Sequence, residues 1–176
     1  MKSDVLKIRF ESTLGEWTAN VYPALAPKTA AYFINLINTG ELDNTNIYRI
    51  VSLDNQPASL EEKIEVIQGG HPIPTDSQSF DFLSHESTHL TGMRHTKYTL
   101  SMPRFSLNEV YRSFFITMGD YACLDYLGNR HKDKQGFAAF GKITSGFDIL
   151  DRIFSCAEHS DMLSNKINLI SVKVVK

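Results

Sequence analysis

The sequence predicts a mainly β fold, a closed barrel of about eight antiparallel strands capped by two α-helices. Short strand-like segments recur along the chain, polar loops separate them, and apolar residues fall at helical spacing in only two places. A chain of 176 residues suits one domain spanning residues 1–176, long enough to enclose a single sizeable core.

The elements follow in order. Leu6, Ile8 and Phe10 alternate with Lys7 and Arg9, the period of a strand with one buried face, so Val5–Phe10 is the first strand. Residues 12–15 make a turn into a second strand over 16–22, completing a hairpin. Pro27 suits a first helical turn, Phe33, Leu36 and Ile37 form a stripe, and Gly40 supplies a stop. Further strands are expected at 47–51, 64–68, 98–102, 113–117 and 138–143, and Ile167–Val175 closes the chain. The second helix runs from Gly146 to about Ser155, with Phe147, Leu150, Ile153 and Phe154 as its stripe. Two long polar loops, Ser52–Lys63 and Tyr126–Gln135, are candidates for choosing a partner.

Composition excludes several classes. An apolar fraction of 42% with 22% charged residues is that of an ordinary soluble protein, and no apolar run approaches membrane-spanning length. The start of the chain lacks the apolar stretch of a secretory leader, so a cytoplasmic location is the default. A formal net charge of −2 argues against a nucleic-acid partner. Cys123 and Cys156 lack redox or zinc spacing and are expected to be buried or half-buried thiols.

Four separated segments, Asn46–Arg49, Val66–Gly70, Leu100–Pro103 and Ser113–Thr117, together suggest the wall of one apolar groove with an arginine at its edge. Within the last of them, Ser113, Phe115 and Thr117 share one strand face while Phe114 and Ile116 share the other. One phenylalanine of the pair therefore enters the core and its neighbour faces outwards.

These segments, in this order, resemble the cyclophilin family of peptidyl-prolyl isomerases. The helix entry Tyr22–Thr29 is similar to the family's stretch between first hairpin and first helix. Tyr48-Arg49 matches an aromatic-or-histidine plus arginine pair, and Gln68-Gly69-Gly70 matches the Gln-Gly-Gly. His95 with Leu100-Ser101-Met102, then Ser113–Thr117, Leu124-Asp125 and Phe140–Asp148, carry the match through nearly the whole chain.

The resemblance implies an isomerase acting on X-Pro bonds in proline-containing peptides and in unfolded or loop segments of proteins, as a monomer, without metal or cofactor. It makes Arg49 the catalytic residue, with Gln68 and Phe115 completing the catalytic set. Val66, Phe115 and Leu124 would hold the proline ring. Met102, Pro103, Arg104, Ser113 and Phe137 would complete the substrate groove. Amide rotation has a barrier of roughly 18–20 kcal/mol because the nitrogen lone pair is delocalised. In the twisted transition state that lone pair is regained, and a guanidinium can donate to it. Only an interaction absent from the planar ground state speeds the step.

Some positions depart from the family pattern. The aromatic residue usual near Ile64 or Glu65 is missing, which puts one pocket wall in doubt. Pro103-Arg104 stands for alanine-asparagine, Ser113 for glutamine, Cys123 for tryptophan and Phe137 for histidine. A proline-peptide binding module with little turnover is the alternative these changes favour. A remote alternative is a zinc protease, because His85, Glu86, His89, Gly92 and His95 satisfy the HExxHxxGxxH pattern of metal-dependent proteases. Against it, Ser84 tends to start a helix rather than sit inside one, and groove segments flank the motif closely.

Overall fold

A computed structural model describes residues 5–175. Eight strands close into a barrel: β1 (Leu6–Ser12), β2 (Gly15–Val21), β3 (Thr45–Val51), β4 (Val66–Gly70), β6 (Thr99–Met102), β8 (Ser113–Thr117), β9 (Ala138–Ser145) and β10 (Met162–Val175). They run in the order β1-β10-β3-β4-β8-β6-β9-β2, each neighbouring pair antiparallel. Two short strands, β5 (Asp81–Phe82) and β7 (Glu109–Val110), form a separate ribbon.

The barrel interior is built by side-chain alternation. Ile8 and Phe10 of β1, Trp17 and Ala19 of β2, and Phe114 and Ile116 of β8 all point into one continuous core. Phe10 stacks on Trp17 at 5.2 Å between centroids, and Phe33 packs against Phe140 at 4.9 Å. Helix α1 (Pro27–Asn38) contributes Phe33, Leu36 and Ile37 to this core and packs against β9 and β10. Helix α3 (Phe147–Phe154) buries Leu150 and Ile153 and packs against β2.

Three differences from the sequence reading have physical causes. A third helix, α2 (Thr88–Thr91), is a single turn closed by Gly92 at φ +72°, too short to show a periodic stripe. Phe147 lies at the edge of its stripe, 39% exposed, and rests against Tyr98 at 4.7 Å. Strand β10 begins at Met162, five residues before the expected Ile167, because residues 163–166, in which buried Leu163 precedes three polar residues, bulge between the rungs Met162–Arg49 and Ile167–Ile47. Of the two cysteines, Cys123 is buried as expected but Cys156 is exposed.

Candidate functional site

Arg49 leaves the barrel interior because β3 carries a bulge. Its register on β4 runs Ile47–Gly69 and then Arg49–Gln68, so Tyr48 is the extra residue. The bulge inverts the alternation: Ile47 and Ile50 both point into the core, while Arg49 and Val51 face outwards. On the next strand Gln68 lies opposite Phe115, which in turn lies opposite Ser101. Arg49, Gln68 and Phe115 therefore form one row across three strands, on one face. Gly69, between Ile47 and Phe114, must lack a side chain, since a Cβ there would stand 2.6 Å from Ile47 Cδ1.

The row opens onto a cavity of about 220 Å³. Its apolar wall is Val66, Phe115, Leu124, Phe137 and Ile64. Ile64, 5% exposed and packed with Val51 and Val66, fills the wall that the missing aromatic put in doubt. The polar side is Arg49, Gln68, Tyr111 and Arg130. Arg49 Nη1–H donates to Gln68 Oε1 at 3.2 Å, and Gln68 Nε2–H donates to the Tyr111 hydroxyl at 2.9 Å. A second recess, of about 280 Å³, shares Arg49, Gln68 and Tyr111 and continues to Asp161 and Met162. A larger hollow of about 390 Å³, between the 52–63 and 126–135 loops, is lined by Leu60, Glu61, Glu62, Asn129 and Arg130 and has no aromatic wall.

Phe115 is held from outside the cavity. His95, 1% exposed, lies parallel to it, with Nδ1 at 2.7 Å from Asp125 Oδ1 and Nε2 at 2.9 Å from Ser101 Oγ. Burial pushes the His95 imidazole below its ordinary value despite Asp125, so it is neutral near pH 7. Its Nδ1–H then donates to the carboxylate, and the single Ser101 hydroxyl proton is shared between His95 Nε2 and the Ala138 carbonyl, at 2.9 and 3.0 Å.

Eight of the ten residues expected at the site, Pro103 and Arg104 among them, line this one cavity. Two do not. Met102 points into the barrel core, because it alternates with the outward Ser101. Ser113 is wholly buried: its hydroxyl donates to the Gly69 carbonyl at 2.7 Å and accepts from the Tyr48 hydroxyl at 2.9 Å. Arg104 lines the cavity, but its side chain is 2% exposed and turned back into the 126–136 segment. There it donates twice to Asp133, at 2.8 and 2.9 Å, and from Nε to the Gly136 carbonyl at 2.8 Å.

The family model for the cyclophilin type peptidyl-prolyl cis-trans isomerase matches residues 5–174 of the chain. The chain belongs to the cyclophilin family. It is 25% identical to the peptidyl-prolyl cis-trans isomerase cyp18 of Streptomyces antibioticus, over 96% of this chain and 98% of that one. It is 27% identical to a peptidyl-prolyl cis-trans isomerase-like 1 protein of Aspergillus fumigatus, over 100% of this chain and 98% of that one. The crystal structure of a cyclophilin type isomerase from Cryptosporidium parvum superposes with a TM-score of 0.71 at 19% identity, covering 98% of this chain and 99% of that one.

In this cyclophilin the HExxHxxGxxH stretch does structural work. Among the described residues, no group of three or more His, Cys, Asp or Glu is gathered as a metal site. Glu86 is buried and accepts from Lys28 N, Thr29 N and Thr29 Oγ1 at 3.1, 2.8 and 2.7 Å, capping helix α1, whose own N-cap Ala26 has no side chain to offer. His85 Nε2 bonds to the Gln135 carbonyl at 2.9 Å, His89 stacks on Tyr126, and His95 is committed to Asp125 and Ser101.

Tyr111, Arg130, Ile73 and Asp161 border the two recesses without having been singled out for the site by the sequence. Only Tyr111 carried a local signal, a large aromatic two residues before the Ser113 strand. Asp161 lies 112 residues from Arg49 and is brought to it by the antiparallel pairing of β3 with β10.

Proposed function

We propose that this cyclophilin accelerates rotation about X-Pro bonds in proline-containing peptides and in folding or exposed loop segments of cytoplasmic proteins, acting as a monomer. The observation that carries the reading is the row Arg49–Gln68–Phe115, which sets guanidinium N–H donors beside an apolar cavity. In this reading the proline ring rests against Val66, Phe115 and Leu124. Gln68, between the arginine and Tyr111, keeps the guanidinium in place. As the amide twists, Arg49 donates to the pyramidal prolyl nitrogen, an interaction the planar ground state cannot make. Acceleration by about ten-thousand-fold requires about 5.5 kcal/mol. One charge-assisted hydrogen bond in a largely apolar cleft, with binding that favours the twisted amide, is of that order.

Pro103 and Phe137 complete the apolar side of this groove, whereas Arg104 secures the loop behind it. A balanced charge of −2 favours peptide over nucleic-acid partners. The test is isomerisation of a short proline peptide. The unmutated protein is expected to be active and Arg49→Ala to be slower by at least about tenfold. No activity in the unmutated protein would leave a proline-binding module.

A further inference from the structure

Arg49 does not stand free in its cleft. A guanidinium has five N–H donors. Its Nε–H donates to Oδ2 of Asp161 at 2.8 Å, Nη2 stands 2.7 Å from the same oxygen as an ion pair, and one Nη1–H donates to Oε1 of Gln68 at 3.2 Å. Each terminal nitrogen keeps an N–H free of these hydrogen bonds.

The carboxylate is placed by the sheet. Ile50 N–H donates to the Asp161 carbonyl at 2.9 Å, and the next residue, Met162, lies opposite Arg49. The segment leading to Asp161 is tied down as well. Asn55 Nδ2 bonds both the Ile50 and Glu158 carbonyls, and the Glu158 carboxylate accepts from Ser164 N and Asn165 N.

We propose that Asp161 is a positioning residue for the isomerisation: it orients the Arg49 guanidinium between itself and Gln68, leaving the terminal N–H pair for the prolyl nitrogen. This rests on the reading of Arg49 as the catalytic group. An unrestrained arginine carries considerable side-chain entropy, part of which must be given up whenever it engages a substrate. Holding it beforehand removes that penalty from the reacting complex. The opposing effect is that a carboxylate weakens the guanidinium as a charge. Both side chains are 33% exposed, so solvent screens the charge term while the hydrogen-bonded restraint persists. Orientation therefore dominates, and loss of Asp161 slows turnover rather than weakening binding.

The test measures kcat and KM separately on a short proline peptide for the unmutated protein, Arg49→Ala, Asp161→Ala and Asp161→Asn. Asp161→Ala should lower kcat about tenfold with KM within about twofold. Asp161→Asn keeps an acceptor oxygen and should recover most of the rate. In ¹⁵N NMR the Arg49 Nε–H should exchange slowly in the unmutated protein and rapidly in Asp161→Ala, whatever the turnover. The inference fails if Asp161→Ala turns over at the unmutated rate, if its loss lies wholly in KM, or if the asparagine variant is as slow as the alanine one. An active protein indifferent to Arg49→Ala would overturn the reading of Arg49 and this inference with it. A protein that needs Arg49 but not Asp161 would overturn this inference alone.

Discussion

The imidazole of His95 lies parallel to the ring of Phe115, with centroids 6.0 Å apart and planes 9° from coincidence. The cavity's central aromatic wall thus rests on a neutral histidine, itself fixed by Asp125 and Ser101. His95→Phe would keep the stacking surface but leave a buried Asp125 without one of its donors. It should cost about 2–4 kcal/mol in urea unfolding, given the price of an unsatisfied buried charge. A loss below about 0.5 kcal/mol would show that the network contributes little to stability.

Stability should depend on pH with one sign on the acid side. His85 and His95 are both held below the ordinary imidazole value, burial being the largest cause in each. The unfolded chain therefore binds more protons than the folded one just below about pH 6.5, and stability falls as pH drops through that range. Asp133 is held well below the usual carboxylate range, chiefly by hydrogen bonds from Arg104. Its contribution is complete above the unfolded carboxylate value and is lost as pH falls below about 4. Unfolding free energies measured from pH 3 to 8 should show both declines, with the upper one flattened in His95→Asn. A stability maximum near pH 5 would contradict this.

The Arg104–Asp133 pair should respond asymmetrically. The Arg104 side chain is 2% exposed and that of Asp133 27%. Asp133→Ala strands a buried guanidinium and should cost about 3–5 kcal/mol. Arg104→Met leaves a carboxylate that can still meet solvent and His131, so about 1–3 kcal/mol is expected. Chemical denaturation of the two variants would settle the order, and a larger loss for Arg104→Met would reverse the account of this latch.

Glu86 serves as a distant helix cap, so Glu86→Ala should destabilise the protein by about 2 kcal/mol or more, as expected when a charged acceptor of several buried donors is removed. His89→Ala removes only an exposed stack on Tyr126, so stability should fall by less than about 1 kcal/mol and metal content should not change. Elemental analysis of protein purified without added metal provides the check, and one equivalent of zinc lost on His89→Ala would restore the protease motif.

The barrel was legible because its signals are local: alternation in β1, the helical stripe of α1, and the polar turns between the strands. The site was legible where strand parity alone decides orientation, as for Phe114 and Phe115. It was not legible where the register is irregular. Period two assigns Arg49 to the same face as Ile47, and only the bulge at Tyr48, a property of the β3–β4 pairing, separates them. Met102 fails for the complementary reason, since regular alternation with Ser101 turns it inwards. Asp161 lies in a polar stretch with no periodicity, and its role depends on the same long-range pairing that begins β10 early.

The most direct test of the central claim is magnetisation-exchange NMR between the cis and trans forms of a proline peptide held at saturating concentration. With Arg49→Ala the peptide should still bind, while exchange on the protein falls by at least about tenfold; with Phe115→Ala binding itself should weaken. Exchange at the unmutated rate in Arg49→Ala would contradict the account.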